Sequence, residues 1–249
     1  ASGLNTIQGT ANNDNVLFDP AFTGNVDITL SGGDDTFNAA GASGTFTYNE
    51  DLTNIDANDT IIGGANGADT FNINAVGGGA ADLTNVDGIE VYNITADGGD
   101  SVTLTLGNAG PSTVNGAQTF NFLNSNVPGI ITVTVGGSTE NANTNITTGG
   151  GQDRITLGSG NDTINSGFGS DQIYGGAGND TINASGGDDE VSGGAGNDNI
   201  DGGSGADRLR GDAGNDTIDG GSGDDVIYGG AGGDIINGGT GADQYLYLT

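Results

Sequence analysis

Along residues 148–246 an apolar side chain returns every nine residues, at Ile155, Ile164, Ile173, Ile182, Val191, Ile200, Leu209, Ile218, Ile227, Ile236 and Tyr245. Most have polar or β-branched neighbours on both sides, as in Thr181-Ile182-Asn183, and six residues of glycine-rich chain precede each triplet. Such triplets predict short strands with the middle side chain pointing inward. The glycines predict turns, because their backbone entropy weakens a helix or a long strand. The period holds through 11 units without insertion or deletion, which marks a repeat architecture. Two nonapeptide units make one coil, so alternate units supply opposite sheets. The fold class read from this pattern is all-β, a parallel β-solenoid.

Residues 1–147 lose the strict period but keep its vocabulary, and we read them as an irregular β-solenoid with Asp-rich turns. Asp14, Asp35, Asp59 and Asp69 each stand just ahead of a short apolar stretch, as in Asp34-Asp35-Thr36-Phe37. The steps from Asp14 to Asp35 and from Asp35 to Asp59 exceed two nonapeptides and suit a wider coil. Alternating or apolar stretches at 26–30, 45–48, 89–94, 102–106, 119–123 and 130–135 predict strands. Their period of two turns Val102, Leu104 and Leu106, Phe120 and Phe122, and Ile131, Val133 and Val135 inward. Residues 148–249 form the second part, with Tyr245 and Tyr247 expected to cap the open core of the last coil.

Each strict unit also carries an aspartate two residues ahead of its apolar position: Asp153, Asp162, Asp171, Asp180, Asp189, Asp198, Asp207, Asp216, Asp225, Asp234 and Asp243. Stacked coils bring the aspartates of every second unit to a strand spacing. Two carboxylates about 4.8 Å apart repel by roughly 3 to 4 kcal/mol at an effective dielectric of about 20. A hard divalent cation between turns removes that repulsion and takes oxygen ligands, which carboxylates and bare glycine-turn carbonyls supply. Six turns of odd units leave five gaps and five turns of even units leave four, so about nine such ions are expected in this part. Asp14, Asp35, Asp59 and Asp69 are candidate ligands in the first part.

The stretches GGAGNDTIN, Gly175 to Asn183, and GGAGNDNID, Gly193 to Asp201, resemble the RTX (repeats-in-toxin) nonapeptide of secreted bacterial proteins. The resemblance implies a calcium-bound β-roll, with ligation by the sixth-position aspartate and by main-chain carbonyls of the turn. It also implies type I secretion, which relies on an uncleaved carboxy-terminal signal. The chain stops three residues after its last repeat, and so reads as trimmed or incomplete. Thr148, Leu157, Ser166 and Ala184 replace the first glycine of the motif, and Ser185 and Asp212 the second. The stretch from Leu83 to Val91 resembles coils of RTX-bearing surface-layer proteins and large adhesins.

Composition narrows the function. There are 29 Asp, 4 Glu and 3 Arg with no Lys or His, for a net charge of −30, which excludes nucleic acid and anionic membrane as direct partners. The charge is −16 over residues 1–147 and −14 after them, so calcium binding is not expected to stop at the repeats. Without His or Cys there is no zinc-protease helix, no Ser-His-Asp triad and no thiol nucleophile, and no enzyme is expected. Paired carboxylates such as Asp34 with Asp35 and Asp188 with Asp189 read as calcium ligands or solvent-facing groups. No apolar run reaches the length of about 20 residues that a transmembrane helix needs. The first residues, Ala1-Ser2-Gly3, carry no charged, apolar leader, so the chain reads as mature or as a fragment.

The reading carried forward is a calcium-dependent, self-assembling structural protein of the bacterial cell surface, outside the cell: a surface layer, sheath or filament. The alternatives are a carboxy-terminal export and folding module of a type I-secreted toxin or enzyme, and an adhesin segment, including the ice-binding kind. Ala177, Ala195 and Ala213 stand where an ice-binding Thr-x-Asn ladder on the turns needs Thr. Other copies of the chain are the expected partner, through outward residues of the odd sheet: Arg154, Tyr174, Arg208, Arg210, Val226 and Tyr228. That sheet holds every cation of the protein, and Arg and Tyr are enriched at interface centres. The competing expectation is that these arginines pair with carboxylates of their own sheet, as Arg208 could with Glu190.

Overall fold

The computed structural model describes residues 5–29, 31–51, 54–55, 59–63, 69–76, 78–83, 86–87, 89, 91–95, 102–106, 118–123, 131–135 and 143–247. Among the described residues there is no α-helix, and the strands form three parallel sheets. A 12-stranded sheet runs from Asn5–Gln8 to Ile235–Asn237. Its partners are a four-stranded sheet, from Asn15–Leu17 to Val86–Asp87, and a nine-stranded sheet, from Gly79–Leu83 to Gln244–Leu246. One core cluster of buried side chains spans the chain. The architecture is the expected parallel β-solenoid, and alternate nonapeptides fall on opposite sheets as their parity predicts.

Register gives the length of each coil. In the long sheet Asn145 pairs with Thr163, Thr163 with Thr181, Thr181 with Asn199, Asn199 with Thr217 and Thr217 with Ile235, two nonapeptides on at every step. Earlier coils are wider: Asn5 pairs with Val26 and Val26 with Phe46. Thr47 then pairs with Thr70, Thr70 with Val91, Val91 with Thr119 and Thr119 with Asn145, the last two being the widest coils of all. Core composition follows width. The narrow coils bury one Ile, Val or Leu per strand, with Ile155 through Ile227 at most 1% exposed. The wider coils have more interior to fill and use Phe37, Phe46, Tyr48, Phe71, Tyr92 and Phe120, all fully buried. Tyr92 stacks on Phe120 at 4.6 Å and Phe37 meets Tyr48 edge-on at 4.6 Å.

Predicted strands return as Val26–Thr29, Phe46–Asp51, Val91–Thr95, Val102–Leu106, Gln118–Leu123 and Ile131–Val135. Val102, Leu104, Phe120, Ile131 and Val133 are buried as expected, and the side chains of Leu106, Phe122 and Val135 lie outside the described residues. The two-nonapeptide register starts with strand Thr144–Thr147, ahead of the first glycine turn, and the long sheet continues across residue 148 without interruption. At the end of the repeats Tyr245 pairs in register with Ile227, which is fully buried, and is itself 45% exposed; Tyr247 is 80% exposed. Tyr245 accepts the N–H of Gly238 on its hydroxyl at 3.1 Å, within its own unit.

Candidate metal sites between stacked turns

Each aspartate of the strict repeat fastens its turn to the one before. The N–H of Asp153 donates to Asp171 Oδ1 at 2.8 Å, and that of Asp162 to Asp180 Oδ1 at 2.8 Å. The same bond recurs down both columns to Asp216 with Asp234 and Asp225 with Asp243, each at 3.1 Å. Upstream, Ile131 and Thr144 donate to Asp153 and Asp162 at 2.8 and 2.6 Å. A one-carbon stem suits this reach, and it corrects the picture of carboxylates facing one another: Oδ1 faces a donor.

Oδ2 is left over. In Asp153, Asp162, Asp171, Asp180, Asp189, Asp198, Asp207, Asp216 and Asp225 it is buried without a hydrogen-bond partner. These nine are the aspartates that have a further aspartate turn stacked after them in this sequence; Asp234 and Asp243 do not. Burial is the main reason their carboxyls titrate high, and repulsion from neighbouring carboxylates adds less. Asp153, Asp162, Asp180, Asp198 and Asp207 are pushed up to about 6 and Asp189 to about 7, and Asp171, Asp216 and Asp225 also rise.

The glycine at position one explains what Oδ2 faces. A β-carbon on Gly175 would stand 2.5 Å from Asp180 Oδ2 and 2.7 Å from the carbonyl oxygen of Gly193 in the next coil. One on Gly202 would stand 2.6 Å from Asp207 Oδ2 and 2.9 Å from the Gly220 carbonyl. A carboxylate oxygen and a main-chain carbonyl of successive turns thus border a hollow that exists because no side chain fills it. At position four Gly178, Gly196, Gly214 and Gly232 hold φ of 132, 135, 147 and 142°, and a β-carbon there would overlap the carbonyl of the matching glycine one coil earlier. Among the described residues no three acidic side chains converge, so a cation here must complete its shell from carbonyls and water. Calcium, a hard ion of flexible oxygen coordination, fits that donor set.

The hollow is bare ahead of Asp180, Asp198, Asp207, Asp216 and Asp225, where Gly175, Gly193, Gly202, Gly211 and Gly220 occupy position one. Thr148, Leu157, Ser166 and Ala184 put a side chain there for Asp153, Asp162, Asp171 and Asp189. At position two Ser185 and Asp212 take φ of 69 and 72°, the positive-φ residues other than glycine among those described. A further role went unread in the sequence. Asn143 accepts the N–H of Asn161 on Oδ1 at 2.8 Å, and Asn161, Asn179, Asn197 and Asn215 repeat the bond down the even turns. The signal was present as an asparagine at position five of successive even units.

In the first part Asp14 donates its N–H to Asp35 Oδ1, Asp35 to Asp59 Oδ1 and Phe46 to Asp69 Oδ1, at 2.8, 2.8 and 2.9 Å. The stacking inferred from the spacing of Asp14, Asp35 and Asp59 is therefore formed, while Asp69 belongs to the long sheet. None of these four has an oxygen buried without a partner among the described residues, and Asp14 Oδ2 accepts the N–H of Thr10 at 2.6 Å. They share the fastening. On the nine-stranded sheet Arg210 pairs with Asp212 at 2.6 Å and lies 5.8 Å from the Tyr228 ring centre. Arg154 donates to Gln172 at 3.0 Å. Arg208 and Glu190 are neighbours in register, and no ion pair joins them among the described residues.

Residues 139–173, 174–209 and 210–245 match the family model of the RTX calcium-binding nonapeptide repeat (4 copies). This segment therefore carries RTX repeats, which bind calcium and are typical of secreted, extracellular proteins. The match begins one unit ahead of the first glycine turn, where Thr144 stands in the aspartate's place and Ile146 in the apolar column. No curated protein matches the chain. Among the described residues no helix is long and apolar enough to cross a membrane.

Proposed function

We propose that this chain is a calcium-stabilised structural protein that assembles with copies of itself outside the cell, as a surface layer, sheath or filament. The supporting observation is the sorting of charge. On a chain of −30 the three cations, Arg154, Arg208 and Arg210, stand outward on one sheet, beside Tyr174, Val226 and Tyr228. Tyr174 is 56% exposed, Arg208 lies next to Val226 in register, and Arg210 next to Tyr228. Planar donors and rigid rings on an otherwise acidic surface suit an acidic face of a second copy. Because donor and acceptor faces differ, the contact is heterologous and propagates. Calcium occupies the gaps between turns through Asp Oδ2 and glycine carbonyls; nine gaps exist, and the five with bare hollows bind tightest.

Replacing Arg208, Arg210 and Tyr228 together by Ser tests the assembly. The variant is expected to show unchanged calcium-dependent circular dichroism and to give no sheets or fibres in negative-stain images. Assembly like that of the unaltered chain would exclude this face as the contact. An unaltered chain that stays monomeric at high concentration in calcium would favour the folding module or adhesin segment.

A further inference from the structure

Strand Phe46–Asp51 sends Phe46, Tyr48 and Glu50 inward, and register sets Glu50 beside Ile73, which in turn pairs with Ile94. A carboxylate therefore stands in a row of core isoleucines, 9% exposed. Its Oε1 accepts Asn54 Nδ2 at 2.9 Å and the N–H of Asp51 at 3.2 Å. Its Oε2 is buried without a hydrogen-bond partner among the described residues. The side chain borders a cleft of about 460 Å³ at the carboxyl ends of parallel strands of the long sheet, lined also by Ser31, Asp51, Asn54, Asn74 and Thr95. Asp51 Oδ1 accepts Asn74 Nδ2 at 2.6 Å.

Among the described residues a charged Oε2 lacks a donor, and leaving a buried carboxylate oxygen unpaired is costly. Burial, with Asp35 and Asp51 adding repulsion, pushes the carboxyl up to about 7. Residues 1–147 contain no Lys, Arg or His, so no side-chain cation is at hand in this part of the chain. Every other donor in the cleft is an oxygen or an amide. The amide nitrogens of Asn54 and Asn74 are engaged by the two carboxylates, which leaves their oxygens to offer. We propose that Glu50, with Asp51 and the amide oxygens of Asn54 and Asn74, holds a calcium ion in this cleft, outside the nonapeptide repeats. The volume leaves room for waters to complete the shell.

The chain has four glutamates, Glu50, Glu90, Glu140 and Glu190, so carboxyl-¹³C-labelled glutamate gives few resonances, and Glu50→Gln identifies one of them by its loss. In the unaltered full-length chain that resonance is expected to move saturably as calcium is added. A resonance that stays put while the repeats fill would overturn the site. In equilibrium dialysis with calcium, Glu50→Gln and Asp51→Asn are each expected to bind one ion fewer per chain, and an unchanged count would overturn it as well. Asp51 is exposed, so Asp51→Asn carries both arms if Glu50→Gln does not fold, the Glu50 signal then being the one it perturbs.

Discussion

A single methyl group distinguishes an open turn from a filled one. On Gly211 a β-carbon would overlap Asp216 Oδ2 and approach the Gly229 carbonyl to 2.6 Å. Gly211→Ala is therefore expected to weaken one calcium site and to cost about 1–3 kcal/mol of stability in calcium, from overpacking; calcium-dependent thermal melting measures it. The converse change, Ala184→Gly, opens the hollow before Asp189 and should tighten one site in a calcium titration. Ser185 tests a different strain, since a non-glycine residue at φ 69° sits in the left-handed region. Ser185→Gly is expected to stabilise the fold by about 1 kcal/mol in urea unfolding, less whatever its hydroxyl contributes through Asn165 and Asn183.

Between neighbouring turns the unit of stability is the bond from one aspartate's N–H to the next aspartate's Oδ1. Asp198→Ala removes the acceptor of Asp180 N–H and the buried Oδ2 beside Gly193 at once. Leaving a buried donor unpaired costs about 1–3 kcal/mol before any loss of calcium. Asp243→Ala releases only Asp225 N–H on the outermost turn and should cost less. Hydrogen exchange at Asp180 and Asp225 compares the two, and equal losses would contradict the column. The repeating half was legible because a period of nine sets an inward apolar residue and a turn aspartate at constant offsets, and the pleat alternates faces, with Ser192 buried at an outward position. What escaped were residues whose type contradicts their place. Thr144 fills an aspartate position and gives Asp162 its N–H and its side-chain hydroxyl, and Glu50 follows Phe46 and Tyr48 inward although its charge argues for the surface. Hydrogen-bond direction, too, is invisible in a residue pattern: the repulsion inferred between stacked carboxylates is largely replaced by N–H donors on Oδ1 and by burial of Oδ2.

For the molecule as a whole, calcium and protons compete for the same oxygens. Without calcium, burial pushes the folded carboxyls of Asp153, Asp162, Asp180, Asp198 and Asp207 up to about 6 and that of Asp189 to about 7, above the unfolded carboxylate range, so the fold binds more protons than the unfolded chain between about pH 4 and 7. Calcium-free stability should therefore be greatest near the acid end of that window and fall as pH rises through it. With calcium the trend reverses, because ligation needs the ionised form. Melting curves with calcium and with chelator should converge toward pH 5 and separate at pH 7. In chelator at neutral pH, residues 148–246 should lose their β signal in far-ultraviolet dichroism, since one small apolar residue per strand is set against the ordering of many glycines. The first part, with its aromatic core, should keep more of it. The constancy of the coil also has a mechanical meaning. A coil that touches only its neighbours comes away as a unit, and each coil of two nonapeptides would release about 60 Å of chain under tension. The wider coils would release about 70 to 95 Å. Stretched between a surface and a cantilever in calcium, the protein should yield a run of equal short steps and a set of longer unequal ones, a ruler on which the two halves of the chain are told apart by length alone.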